Sequence, residues 1–180
     1  MKWIGISGSW RKTNNEIEGK LRQIITEIIN RGDGIVSGGA LGVDYIATDE
    51  ALKHDPTAKR IKVFLPTTLT KYSEHYQKHA KLGTVTHKQA ENLIDQLTRI
   101  KKINLDAVIE NPDTNFTEET KKDMYYERNS RVVEASDELV AFRVKTEKSE
   151  SLGTADTVEK AKTKGIPVKL FSYDLSGDSG

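Results

Sequence analysis

The sequence has 180 residues, which suits one α/β domain that buries roughly 70% of its unfolded surface. Its 28 lysines and arginines nearly balance 27 aspartates and glutamates, so the net charge of +1 gives no overall attraction to nucleic acid. The lack of cysteine excludes disulfides, thiolate metal ligands and cysteine nucleophiles. No apolar run approaches the ~20 residues that span a membrane, and residues 1–6 are too short for a signal peptide, so we expect a cytoplasmic protein without membrane contact.

The first part of the chain predicts three strands joined by helices. A strand beginning at Trp3 leads into the loop Ser7-Gly8-Ser9, and Arg11 follows two residues later. The capping box Thr13-Asn-Asn-Glu16 starts a helix with apolar residues at helical spacing, and Gly32 is its predicted stop. The next elements are a strand at 34–37, a helix at about 43–53 and a buried parallel strand at 61–65.

The second part predicts two more strands after a long helical excursion. Strands at 138–142 and 167–171 flank a helix at about 154–164. Residues 67–124 form a helical insertion between strands 3 and 4, with a capping box at Thr86 to Gln89. The range 116–135 contains a further helical stretch. The pattern predicts an α/β fold, a single Rossmann-like doubly wound parallel sheet in strand order 3-2-1-4-5, with its ligand crevice between strands 1 and 4. We expect one domain over residues 1–175 and a disordered tail at 176–180.

Glycine loops after the first two strands predict a site for a phosphate-bearing ligand. The second of them, Ile35-Val-Ser-Gly-Gly-Ala-Leu-Gly-Val-Asp44, runs from a strand into the start of a helix. Glycine permits positive φ and close backbone approach, and a helix N-terminus offers free N–H groups and partial positive charge. Neither loop matches the Walker A or the dinucleotide-binding fingerprint, so we expect phosphate binding without the hallmarks of an NTPase or a dehydrogenase.

Four segments in order carry a resemblance to a known superfamily. They are Ser7-Gly-Ser-Trp-Arg11, Ser37-Gly-Gly-Ala-Leu-Gly-Val-Asp44, Arg128-Asn-Ser-Arg131 and Ser149-Glu-Ser-Leu-Gly-Thr154. The set resembles the SLOG superfamily of nucleotide-binding Rossmann-like proteins, most closely its DprA/Smf DNA-processing branch and more distantly the LOG-type phosphoribohydrolases. The resemblance covers residues 1–66 and 125–173, and it implies a nucleotide-type ligand at the carboxyl ends of the strands.

The predicted binding site combines hydroxyl groups, backbone amides of the glycine loops and guanidinium groups, all of which suit phosphate. Its members are Ser7, Gly8, Ser9, Arg11, Ser37, Gly38, Gly39, Ala40, Gly42, Asp44, Arg128, Arg131, Ser151, Gly153 and Thr154. A side chain at Gly39 or Gly42 is expected to enter the anion site or to demand an unfavourable φ. Two alternatives stay open: Asp44 closes its loop instead of contacting a ribose, and Glu127 or Glu134 pairs with the arginines of the fourth motif on a solvated surface.

Three functions remain open at this stage. The first is binding of a nucleotide or nucleotide-derived phosphate ligand, the second is binding of single-stranded DNA, and the third is a nucleoside-monophosphate phosphoribohydrolase activity. LOG-type enzymes carry a catalytic Glu three residues after the Thr of their glycine motif, whereas this chain has Thr157 there, so an enzyme is not favoured. Asp44, Glu127 and Glu150 are the candidate carboxylates for such a reaction. We also expect a homo-oligomer, a dimer.

His75 and His79 have the i, i+4 spacing of metal ligands on one helix face. No Glu follows His75, and Lys78 and Lys81 would repel a cation. A polar helix face is therefore expected, and no metal site is predicted. The neighbouring tyrosines, Tyr72, Tyr76, Tyr125 and Tyr126, are expected to pack in the core more readily than to stack on a base.

Overall fold

Six parallel strands and six α-helices form the part of the chain that the computed structural model describes, residues 1–10, 12–147 and 152–177. The strands are β1 (Trp3–Gly8), β2 (Gly34–Ser37), β3 (Ile61–Phe64), β4 (Val108–Ile109), β5 (Glu138–Lys145) and β6 (Val168–Asp174). The helices are α1 (Asn15–Asn30), α2 (Val43–His54), α3 (Leu69–Lys81), α4 (His87–Ile103), α5 (Lys121–Glu134) and α6 (Leu152–Lys164). A 3₁₀ turn at Leu105–Ala107 precedes β4.

The sheet confirms the predicted Rossmann-like topology and adds one strand to it. Its order is β4-β3-β2-β1-β5-β6, and every neighbouring pair is parallel. The five predicted strands appear in the predicted order, and β4 is the additional edge strand. Because helices cover both faces, β2 is buried along its whole length, as continuous apolar runs of parallel strands are.

The helical excursion belongs to the same core as the sheet. Tyr72 and Tyr76 from α3 and Leu93 and Leu97 from α4 are fully buried, and they lie in one apolar cluster with the strand residue Ile35. Regular apolar spacing along both helices accounts for this, since each presents one stripe to the sheet. The excursion therefore completes the core on the β3 side.

Several predicted element boundaries shift in the structure. The first helix is capped by Asn14, whose extended backbone lets its side chain accept from the Ile17 amide at 2.9 Å, so the capping box predicted at Thr13 is wrong. The capping box at Thr86 is present, with both of its hydrogen bonds. Helix α5, Lys121–Glu134, lies within the range 116–135 in which a helical stretch was predicted.

Two further predictions concern the membrane and the C-terminal tail. None of the described helices is both long and apolar enough to cross a membrane. Of the tail predicted at 176–180, residues 178–180 lie outside the described part of the chain.

Candidate functional site

The loops that follow β1 and β2 touch each other at the carboxyl edge of the sheet. The Val43 amide, at the start of α2, donates to the Ser9 carbonyl oxygen at 3.1 Å. A Cβ at Gly42 would lie 2.4 Å from that same oxygen, and a Cβ at Gly8 would lie 2.6 Å from the Val43 side chain. These two glycines are therefore required for the loops to approach each other, and the first amide of α2 is already satisfied by the chain itself.

Asp44 closes the loop after β2. Its carboxylate is buried and accepts hydrogen bonds from the Gly38 and Ala40 amides, both at 3.2 Å. Burial raises the pKa of Asp44 to about 6, and the positive charge of Arg128 and the two amide donors oppose this rise. Asp44 therefore closes its own loop, which is one of the two roles considered for it. The amides of Gly38 and Ala40 are consequently occupied by a carboxylate of the protein.

Gly39 faces the core and not the loop exterior. Its φ is +67°, and a Cβ there would lie 2.7 Å from Leu65 Cδ2 and 2.9 Å from Val63 Cγ1. Of the two alternatives expected for this glycine, the unfavourable φ is the one observed, because a side chain at Gly39 would meet the core and not an anion site. Gly42 also has a positive φ, +76°. The Gly39 carbonyl accepts a hydrogen bond from the buried Tyr72 hydroxyl at 2.9 Å, which connects α3 to this loop.

Arg128 lies directly on the loop after β2. Its Nη1 donates to the Gly38 carbonyl, and its guanidinium lies over the Tyr125 ring, 5.2 Å from the centroid. A Cβ at Gly38 would lie 2.6 Å from Arg128 Cζ, so a glycine is needed there to admit the arginine. Arg131, the other arginine of the motif, pairs with Glu127 at 3.2 Å on the surface, one of the alternatives considered for it.

Asn129 links the arginine motif to α6. This buried side chain accepts from Arg128 Nε at 3.0 Å and donates to Asp156 at 3.2 Å. Lys160 holds the same Asp156 carboxylate at 2.7 Å. The sequence pattern predicts roles for the two arginines of this motif but not for Asn129 or Asp156. The position of Asn129 between the two arginines is the signal in the sequence that could have indicated its role.

The start of α6 contains two predicted site residues. Gly153 and Thr154 both lie in its first turn, and Thr154 is buried. Apart from its chain neighbours and its own helix backbone, no atom of the described residues lies within 4 Å of the position of a Cβ on Gly153. The Thr157 hydroxyl, at the position of the LOG-type catalytic carboxylate, donates to the Gly153 carbonyl at 3.0 Å. The predicted site residues Arg11 and Ser151 and the candidate carboxylate Glu150 lie outside the described residues.

The serines of the two glycine loops differ in their surroundings. Ser37, at the end of β2, is fully buried, and its Oγ has no hydrogen-bond partner among the described residues. Ser9 is buried and accepts from the Lys12 amide at 3.2 Å, while Ser7 is half-buried in β1. Buried hydroxyls in native proteins are nearly always hydrogen-bonded. The Ser37 Oγ is therefore an unusual polar group beside the loop, and a ligand could provide its partner.

An aromatic cluster next to the two glycine loops contains Trp10, Tyr76, His75 and Tyr125. The Trp10 indole donates to the Tyr76 hydroxyl at 2.9 Å, which ties the loop after β1 to α3. His75 packs in the same cluster, with the Tyr125 hydroxyl 3.4 Å from its Nε2, and burial lowers its pKa to about 4. His75 and His79 are half-buried against aromatic rings, so the polar helix face predicted for them is wrong.

A family model for DNA recombination-mediator protein A matches residues 1–176. The chain belongs to this family. Membership confirms the DprA-type resemblance seen in the four glycine and arginine motifs. No curated protein matches the sequence significantly.

Solved structures with a similar fold include two DNA processing proteins. The Helicobacter pylori DNA processing protein A, whose structure addresses its single-stranded DNA binding mode, has a TM-score of 0.61 and 21% identity over 94% of this chain and 64% of its own. The Streptococcus pneumoniae DprA has a TM-score of 0.57 and 17% identity, over 94% of this chain and 50% of its own. This chain thus spans between half and two thirds of these relatives.

A cofactor-binding protein shares the fold as well. The molybdenum cofactor binding protein of the phototrophic bacterium Rippkaea orientalis has a TM-score of 0.58 and 20% identity, over 97% of this chain and 78% of its own. At such identities the likeness establishes the fold alone.

Proposed function

We propose that this chain binds single-stranded DNA through phosphate contacts at the carboxyl edge of the sheet, where β1, β2 and β5 end. Membership of the DNA recombination-mediator protein A family and the single-stranded DNA binding of the Helicobacter pylori relative support this proposal. The observation that carries it is the position of Arg128, a half-buried guanidinium fixed on the glycine loop at this edge.

Arg128 is preorganised for a phosphate. The Gly38 carbonyl and the Asn129 side chain engage Nη1 and Nε, and the Tyr125 ring supports the guanidinium plane. An arginine has five N–H donors, so others remain for an oxyanion, and little side-chain entropy is lost on binding because the group is already held. Asp44, the nearby carboxylate, already receives two backbone amides.

Further cations extend along the same edge. Gly8, the last residue of β1, is paired in register with Phe142 of β5, so Arg143 and Lys145 lie in the part of β5 that extends beyond the end of β1. Arg143 and Lys145 are both exposed. A strand of DNA that contacts Arg128 and continues over the end of β5 would meet positive charge, although the protein as a whole is nearly neutral.

Fluorescence anisotropy with a labelled oligothymidylate tests the proposal. About three phosphate contacts give a slope of about −2 against log salt, so affinity should fall about twentyfold between 50 and 200 mM salt. Arg128→Ala should weaken binding about tenfold or more, the effect of one charged hydrogen-bonding group. Arg99→Ala, which removes an exposed arginine of α4, is the matched control and should bind like the parent.

Two results would contradict the proposal. One is a parent protein that fails to bind the oligonucleotide at 50 mM salt. The other is an equal loss of affinity in the Arg128 and Arg99 variants, which would indicate diffuse charge attraction without a site. Circular dichroism of each variant separates loss of binding from loss of fold.

A nucleotide-derived small ligand is the second candidate. The Ser37 hydroxyl at the end of β2 favours it, because this group has no hydrogen-bond partner in the described part of the chain and a ligand phosphate or ribose could supply one. The fold is shared with a molybdenum cofactor binding protein, which supports the same idea. Isothermal titration against mono-, di- and cyclic nucleotides should then show binding that Ser37→Ala weakens; no binding at millimolar concentration removes this candidate.

The remaining expectations have less support. A phosphoribohydrolase activity is not supported, because Thr157 stands at the position of the LOG-type catalytic carboxylate. Its hydroxyl is buried and donates to a carbonyl within α6. A homo-oligomer stays a prediction, which multi-angle light scattering of the full chain tests.

A further inference from the structure

Two histidines and one glutamate converge beside the aromatic cluster. His75 and His79 of α3 and Glu118, in the segment before α5, each offer a ligand atom, and the three atoms lie within 4.8 Å of one another. The histidine spacing is visible in the sequence, but the carboxylate comes from a distant segment that only the fold brings to α3.

We propose that His75, His79 and Glu118 bind one divalent transition-metal ion of the zinc class, with one coordination position left open. Two imidazoles and one carboxylate form a ligand set that zinc accepts when a water or another group supplies the fourth position. Imidazole ligands favour zinc, nickel and copper over magnesium and calcium. This site is independent of the DNA-binding proposal.

The separation of the three groups suits a site that closes around an ion. Zinc–ligand bonds of 2.0–2.1 Å in a tetrahedron place ligand atoms about 3.3 Å apart, so the groups must approach by about 1.5 Å at most. Glu118 can supply this movement, because its side chain is 59% exposed and lies on the segment before α5. The histidines then need only small adjustments.

The histidines are held in place before any ion binds. The His75 ring contacts Phe116, with 5.0 Å between centroids, and the Tyr125 hydroxyl lies 3.4 Å from Nε2. His79 packs edge-on against Trp10 at 6.4 Å. Outer partners of this kind restrict ring rotation and orient a ligand nitrogen.

Two lysines compete with the ion for Glu118. Lys121 pairs with its carboxylate at 2.6 Å and Lys78 lies 3.9 Å from it. Such exposed ion pairs contribute little to stability, so a dication that also gains two imidazoles should displace them. Removal of the Lys121 charge should therefore strengthen metal binding, which a purely structural role for the cluster would not predict.

Titration of the full chain, free of any histidine tag, with zinc chloride tests the proposal by calorimetry. We expect one ion per chain in the parent and at least tenfold weaker binding in His79→Ala and Glu118→Gln. His87→Ala and Glu119→Gln, at exposed positions outside the cluster, are matched controls that should bind like the parent. Lys121→Ala should bind more tightly, and cobalt chloride should give the visible absorption of a tetrahedral ion.

The outcomes separate cleanly. Glu118 is exposed, so its Gln variant should fold normally, and circular dichroism without metal checks this even if His79→Ala does not fold. The absence of saturable one-to-one binding in the parent overturns the proposal. So does a folded Glu118→Gln variant that binds like the parent, or a loss of the same size in the two control variants.

Discussion

Replacement of Asp44 by Asn should change how the stability of this protein depends on pH. The substitution keeps the size of the side chain and an oxygen that accepts from the Gly38 and Ala40 amides, but it removes the titrating group. Burial raises the pKa of Asp44 from 3.8 to about 6 in the folded protein. The folded protein therefore binds a proton at this site more tightly than the unfolded chain does.

The sign and size of the effect follow from that difference in pKa. Above pH 6 the buried carboxylate is charged and lowers the stability of the fold, and this penalty disappears as the pH falls from 6 to 4. At 1.36 kcal/mol per unit, the shift corresponds to about 3 kcal/mol in full, of which about 2 kcal/mol develops between pH 7 and pH 4. As the pH falls from 7 to 4, the free energy of unfolding of the parent should thus rise by about 2 kcal/mol relative to that of Asp44→Asn.

Urea denaturation of both proteins at pH 4, 5, 6 and 7 measures this difference directly. Other carboxylates contribute less to the stability of the fold as the pH falls. Asp33 is one of them, because the hydrogen bond from the Lys2 amide lowers its pKa. They are common to both proteins and cancel in the difference. A difference that stays constant within about 0.5 kcal/mol would refute the burial argument for Asp44.

Three further substitutions test individual local contacts by chemical denaturation. Gly39→Ala should lower stability by about 2–4 kcal/mol, since it combines a positive φ with a Cβ that meets Leu65 at 2.7 Å; an unchanged midpoint would mean that the loop has another conformation. Gly153→Ala should raise stability by about 0.5–1 kcal/mol, because alanine is the better helix former and its Cβ would meet no side chain of the described residues within 4 Å; a loss of stability would contradict this. Thr86→Ala should cost about 1 kcal/mol through loss of the α4 capping box, and a cost near zero would show that the cap is not formed.

The sequence predicted the sheet well where strands are apolar runs next to helices of regular spacing. It could not predict β4, which has two residues and no pattern of its own. This strand exists because Val108 pairs with Val63 of an already ordered neighbour. Pairing of that kind depends on the fold and leaves no periodic signal in the chain.

The candidate site was predictable in its location and not in its internal contacts. Strand–glycine–helix patterns located the loops, but a glycine carries no side chain whose pattern shows which way it faces. Gly39 therefore appeared to border an anion site, although it packs on Leu65. The Asn129–Asp156 bond joins two helices, and local spacing cannot reveal a contact over that separation.

The fold requires segment 67–124, although this segment carries none of the four recognisable motifs. A shortened variant that joined residue 66 to residue 125 would turn β3 into an exposed edge and uncover Leu65. It would also remove Tyr72, the hydroxyl donor to Gly39, from a loop whose glycine already has a positive φ. A gene fragment designed from the two motif-bearing regions alone should consequently yield an aggregating polypeptide, because the part without recognisable motifs supplies the wall against which the glycine loop is built.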